Sequence, residues 1–189
     1  EEVVRMVGFD TIPRDEGPAF PVTKDVGSPV ARLAEEMRDT LVSHGYDEIR
    51  SIPLTAEGRN ASVSYRTLKP AVTENSVNEE FPELRVSIAA GLLEQCEKYT
   101  KRNLEFVQLF EVGRIFGRDG GYHERTALGV LHVASADDGG LRVSQDMVQR
   151  LLRHAGVFDV RYGPCAVVPS VAHPNTVWEI QAGGRSCGV

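Results

Sequence analysis

Between Leu84 and Phe116 the chain reads LRVSIAAGLLEQCEKYTKRNLEFVQLFEVGRIF, a run that leaves few folds open. Ala89 to Asn103 predicts an amphipathic helix, entered from a loop that carries Arg85. Phe106 to Val112 predicts a strand with Val107, Leu109 and Phe110 mostly buried. Gly117 to Gly121 then makes a turn, and Thr126 to Ala134 a returning strand. The stretch from Gly113 to Gly121 is glycine-rich, but a phosphate cradle needs its turn to open a helix. A strand follows instead, so a hairpin is the better reading.

The remaining elements can be read the same way. Residues 1–8 predict the last turns of a helix, with Gly8 as its stop, and Thr11 to Gly27 carries Pro13, Pro18 and Pro21, predicting an extended linker. Ser28 is a good N-cap, Pro29 suits the first helical position, and Gly45 suits a C-terminal stop. Val30, Leu33, Ala34, Met37 and Leu41 make one apolar stripe on that helix, which either packs on the chain's own sheet or faces another subunit. Glu48 to Leu54 predicts a strand. Residues 55–70 predict a short helix or irregular segment leading to a strand near Ala71–Glu74. Ala136 to Gly140 predicts a loop, after which Ser144 caps a helix bearing Met147, Val148, Leu151 and Leu152. Strands are predicted near Asp159–Tyr162, Ala166–Val168, Val177–Gln181 and Arg185–Val189. Short connections with few βαβ units point to an α+β fold, a mostly antiparallel sheet flanked by helices. The domain reading is 1–12 as the end of a preceding domain, 13–27 as linker, and 28–189 as the core, expected to be truncated at its C-terminus.

A chain of 189 residues can bury a sizeable core. With 41% hydrophobic and 25% charged residues it has the composition of an ordinary globular protein. Its net charge of −6 and its scattered basic residues argue against a surface built to grip RNA alone. Only Lys98, Lys101 and Arg102 cluster, which reads first as a solvated helix face. Cys96, Cys165 and Cys187 are odd in number and far apart, offering neither a disulfide framework nor a zinc site and fitting a cytoplasmic protein.

Five segments carry a family resemblance. Glu1-Glu2-Val3-Val4-Arg5-Met6-Val7-Gly8-Phe9-Asp10-Thr11-Ile12-Pro13 opens the chain, and Leu41-Val42-Ser43-His44-Gly45-Tyr46-Asp47-Glu48-Ile49 follows. Then come Asn75-Ser76-Val77-Asn78-Glu79-Glu80-Phe81, the Leu84–Phe116 stretch, and His173-Pro174. In that order they resemble the β-subunit family of bacterial phenylalanyl-tRNA synthetases, with Ser76, Asn78 and Asn175 departing from its pattern. The resemblance implies a class II aminoacyl-tRNA synthetase-like core. Active class II enzymes carry Arg-x-Glu after the strand matched by Phe106 to Val112, to hold the ATP α-phosphate and the adenine. In this chain those places fall on Gly117 and Asp119. Glycine cannot stabilise charge on a transferring phosphate, so no residue here is expected to be catalytic.

By the same resemblance, Glu1 and Glu2 ligate Mg²⁺ in the whole enzyme, as hard oxygen donors would. ATP is then a substrate of the α subunit, the β core packs against that subunit in an (αβ)₂ enzyme, and tRNA meets this part weakly or not at all. Arg85, Glu111 and Arg114 are the charged residues set within the core. Arg85 could meet an anion or brace a partner subunit, and Glu111 could pair with Arg114 beside a nucleotide or hold a loop. None of His44, His123, His132, His154 and His173 has metal-ligand spacing; His173, before Pro174, reads as a turn histidine bonded to backbone. Two other readings are an independent nucleotide-binding enzyme using Arg118 or Arg125, and a plain interaction module.

Overall fold

A computed structural model describes residues 2–8, 11, 27–66, 68–76, 78–102, 104, 106–133 and 140–189. The predicted linker therefore lies outside the described residues apart from Thr11 and Gly27, as do Glu1 and most of the predicted 136–140 loop. The first helix, α1, spans Glu2–Val7 and ends at Gly8, whose φ of 91° suits only glycine comfortably.

Helix α2, Pro29–Ser43, begins as expected: the Ser28 hydroxyl accepts from Ala31 N–H at 3.2 Å. Gly45, at φ 84°, turns the chain so that Tyr46 N–H donates to Leu41 C=O at 3.1 Å. A two-residue strand, β1 (Asp47–Glu48), then runs parallel to the long strand β4 (Val107–Arg118). β4 pairs antiparallel with β5 (Tyr122–Val133) in an unbroken register from Val107↔Val133 to Arg118↔Tyr122. The hairpin is longer than the sequence suggests. Gly113 and Gly117 sit inside β4, and only residues 119–121 form the turn.

Between β1 and β4 the chain makes β2 (Leu54–Thr55), α3 (Arg59–Val63), β3 (Glu83–Leu84) and α4 (Ala89–Thr100). β2 and β3 form their own antiparallel pair. The strand predicted over 48–54 is thus split in two. The one predicted near Ala71–Glu74 is reduced to a bridge between Val72 and Glu83. Pro53, Pro70 and Pro82 each remove a ladder donor, which explains why extended segments here stay short.

Alternation along β4 and β5 gives the sheet two faces, and helices cover both. On one face Ile88, just before α4, and Leu92 of α4 pack with Val107 and Leu109. On the other, Leu41 and Tyr46 pack with Phe110 and with Met147 and Leu151 of α5 (Gly140–His154), flanked by Met37, Val112, Leu128 and Val130. α5 starts four residues earlier than predicted. Ser144 does not cap it but lies within its first turns, its hydroxyl donating to Gly140 C=O at 2.9 Å. The chain closes with an antiparallel sheet of β6 (Val160–Pro164), β7 (Trp178–Ala182) and β8 (Arg185–Gly188). The expected strand at Ala166–Val168 is irregular. The fold is a mixed α+β arrangement. β1–β4 is its parallel pair among the described residues, beside the four antiparallel pairings.

Candidate functional site

Arg85 and Glu111 are placed by two different elements. Arg85 follows β3, and its backbone is fixed on both sides: its N–H donates to Pro53 C=O at 2.8 Å, and its C=O accepts from Phe116 N–H at 2.9 Å. Glu111 stands in the middle of β4 on the face covered by α4. The two side chains meet with Arg85 Nη1 2.6 Å from Glu111 Oε1, at 6% and 2% exposure. Ser51 completes the group. Its hydroxyl donates to Glu111 Oε2 at 2.6 Å and accepts from Arg85 Nη1 at 2.7 Å, while Arg85 Nε donates to Arg114 C=O at 2.9 Å. A buried pair whose remaining donors and acceptors are met in this way survives the desolvation that would otherwise expel it.

The surroundings leave no spare room. A Cβ on Gly113 would stand 2.3 Å from Arg85 Nη2, and one on Gly91 2.2 Å from Ser51 Oγ. A Cβ on Gly129 would stand 2.6 Å from Ile88 Cγ2, so α4 is seated directly on the backbone of the hairpin. A second buried polar group lies alongside. Asn60 donates to Glu83 Oε2 at 2.9 Å and to Leu84 C=O at 3.0 Å, and accepts from Val86 N–H at 2.9 Å. It fastens α3 to the segment carrying Arg85.

Of the alternatives the sequence left open for Glu111, the structure gives the loop-holding one, through Ser51. Glu111 does not pair with Arg114. Register puts position 114 on the opposite face of β4, where its guanidinium pairs with Glu124 across the hairpin in a largely exposed ion pair. Arg85 does not face solvent, and the negative group it meets is the Glu111 carboxylate. Ser51 and Asn60 were not singled out from sequence. A serine and an asparagine in short irregular segments carry no periodic signal, and only the fold shows what they join. His173 accepts Asn175 N–H through Nδ1 at 3.3 Å, as a turn histidine does. Lys98 pairs with Glu94 at 2.8 Å on the exposed face of α4. Glu2 opens α1, with its side chain outside the described residues. Among the described residues no group of three or more His, Cys, Asp or Glu side chains could hold a metal ion.

Gly117 and Asp119 do line a cleft. It measures about 100 Å³ and lies between the hairpin end and Ser64, Tyr65, Arg66 and Leu68, with Val86, Ile115, His123 and Arg125 also on its walls. Ligand pockets for drug-sized molecules run to roughly 300–1,000 Å³, so the cleft is small beside them.

This arrangement matches a known family. A sequence profile of the phenylalanyl tRNA synthetase beta chain CLM domain covers residues 14–189. The chain belongs to that family. A phenylalanine–tRNA ligase beta subunit from Methylococcus capsulatus is 26% identical over 198 residues, covering all of this chain and 24% of that protein. One from Salinibacter ruber is 31% identical over 141 residues, covering 68% of this chain and 17% of that protein. The chain therefore spans a quarter or less of these relatives. A pyrrolysyl tRNA synthetase structure, PylSc from Desulfitobacterium hafniense, superposes with a TM-score of 0.63 at 12% identity, covering 84% of this chain and 56% of that one. A second structure of pyrrolysyl-tRNA synthetase from that organism gives 0.61 at 14%, covering 84% and 57%. At such identities the likeness speaks for the fold alone, which is that of a tRNA synthetase core. No helix among the described residues is long and apolar enough to cross a membrane.

Proposed function

We propose that this chain is the non-catalytic, synthetase-like core of a phenylalanine–tRNA ligase β subunit, and that it serves as a scaffold for the catalytic α subunit. The carrying observation is the closed α4 face of the sheet. Where an active synthetase needs open space and a phosphate-facing arginine, this chain has Arg85 locked to Glu111 and a helix seated on the hairpin backbone at Gly129. Gly117 stands at the arginine's place, and a Cβ there would already touch the Leu68 side chain at 3.4 Å.

The whole enzyme attaches phenylalanine to its tRNA with ATP in the cytoplasm, as an (αβ)₂ assembly with activation on α. The finer fold reading belongs here too: the sheet is mostly antiparallel in character and flanked by helices. The Mg²⁺ role of Glu1 and Glu2 rests on the resemblance alone. Two carboxylates are too few for a hard cation's oxygen shell, so further donors complete the site and no step of this chain's chemistry runs through it. With −6 net charge, this part leaves most of the tRNA contact to other regions.

The test is phenylalanine-dependent exchange of pyrophosphate into ATP by the purified chain. The scaffold reading expects no exchange above background. Sustained exchange that requires phenylalanine would overturn it and favour an independent enzyme.

A further inference from the structure

The cleft beside Gly117 has a feature the scaffold role does not use. Among the described residues, Arg85, Arg114 and Arg59 each face a carboxylate. Arg125, on the cleft wall, faces none. Register sets Ile115 opposite Arg125 and Gly117 opposite His123, so both basic side chains stand on the cleft side of the hairpin. Arg66 lines the same space, its guanidinium 5.2 Å above the Tyr65 ring and within 3.4 Å of Ser186 C=O. Ser64 and Ser87 add hydroxyls, and Leu68, Val86 and Ile115 form an apolar floor that keeps the local dielectric low. One carboxylate, that of Asp119, lies at the rim, and its backbone C=O is within 2.8 Å of His123 Nε2.

The geometry points to this cleft as a binding site for a single phosphate or carboxylate group, held between Arg125 and Arg66. Arg66 also feels the Glu179 carboxylate, so among the described residues the unpaired charge in the cleft is that of Arg125, on a chain whose net charge is −6. A guanidinium's paired N–H donors match the oxygens of such a group in two parallel hydrogen bonds. At about 100 Å³ the space matches one tetrahedral or planar anion. The Asp119 carboxylate, on the same cleft, repels an incoming anion and so limits its affinity. This inference is independent of the scaffold role, which stands whether or not the cleft binds an anion.

The experiment is titration of inorganic phosphate, and separately acetate, into the chain at fixed ionic strength, followed by amide NMR shifts of Ser87, Gly117 and His123. Saturable shifts are expected, with Arg125→Ala weakening the binding at least tenfold and Asp119→Asn tightening it. Stronger phosphate than acetate binding marks a phosphate site, and the reverse marks a carboxylate site. Shifts that never saturate, or equal affinity in Arg125→Ala and the parent, would mean an adventitious ion only and would overturn the proposal. Both substituted side chains lie at the rim, so the variants keep the fold, and far-ultraviolet circular dichroism verifies this.

Discussion

Arg85 and Glu111, 26 residues apart in the chain, are joined at 2.6 Å in the interior, and neither has charge left for a ligand. Removing one member of such a pair strands the other in a poorly solvated place. Glu111→Ala should therefore lower the unfolding free energy by about 3–5 kcal/mol. Arg114→Ala, which breaks an ion pair open to water, should cost no more than about 1 kcal/mol. Urea denaturation of both variants checks the contrast. Equal, small losses would show that the buried pair contributes nothing.

The close seat of α4 on the hairpin gives a steric prediction. Gly129→Ala places a methyl group against Ile88 and Leu92, and should destabilise by about 1–3 kcal/mol. Gly121→Ala meets open space at the turn and should stay within about 0.5 kcal/mol of the parent. Thermal melts of the two proteins, compared side by side, decide it.

The α2 stripe divides along its length. Leu41 is fully buried and Met37 packs against the same cluster, whereas Val30 is 56% exposed. Leu41→Ala should cost about 2–5 kcal/mol in the isolated chain. Val30→Asp should change stability by less than about 0.5 kcal/mol. Its effect, if α docks at this end of the helix, appears only in binding to the partner. Denaturation of the free chain, paired with pull-down of α, separates the two roles.

Tyr46 is buried beside Phe110, and its hydroxyl has no hydrogen-bond partner among the described residues. Burial pushes its pKa above the usual tyrosine value, because the phenolate would be desolvated. The unfolded chain then gives up this proton at lower pH than the folded one. The contribution is intact below about pH 10 and is lost as pH rises through the raised value. Tyr46→Phe should leave neutral-pH stability unchanged or improved by up to about 1–3 kcal/mol and should flatten the alkaline decline. Chemical denaturation at pH 7 and above pH 10 measures both effects.

Much of the α4–β4–β5 unit was legible in the sequence, because helical and alternating periods there are long and Gly120 and Gly121 mark the turn between the strands. The α2 cap was legible for the same reason, since Ser28 and Pro29 act locally. What stayed hidden depended on contacts between distant segments. Nothing near position 111 says that its partner is Arg85 rather than Arg114; strand alternation and the height of α4 decide that. The two short strands around Pro53 were merged in the sequence reading because an apolar alternation does not reveal where pairing partners change. The α2 stripe was ambiguous for a different reason. One face can serve a core and an interface, and the fold assigns its C-terminal half to the core.

The most direct measurement is co-expression of this chain with the α subunit from the same genome, followed by size-exclusion chromatography, with full-length β run in parallel. The scaffold account predicts that α co-elutes with the 189-residue chain as well as with full-length β. Co-elution of α with full-length β alone, while the shorter chain elutes folded by itself, would contradict it.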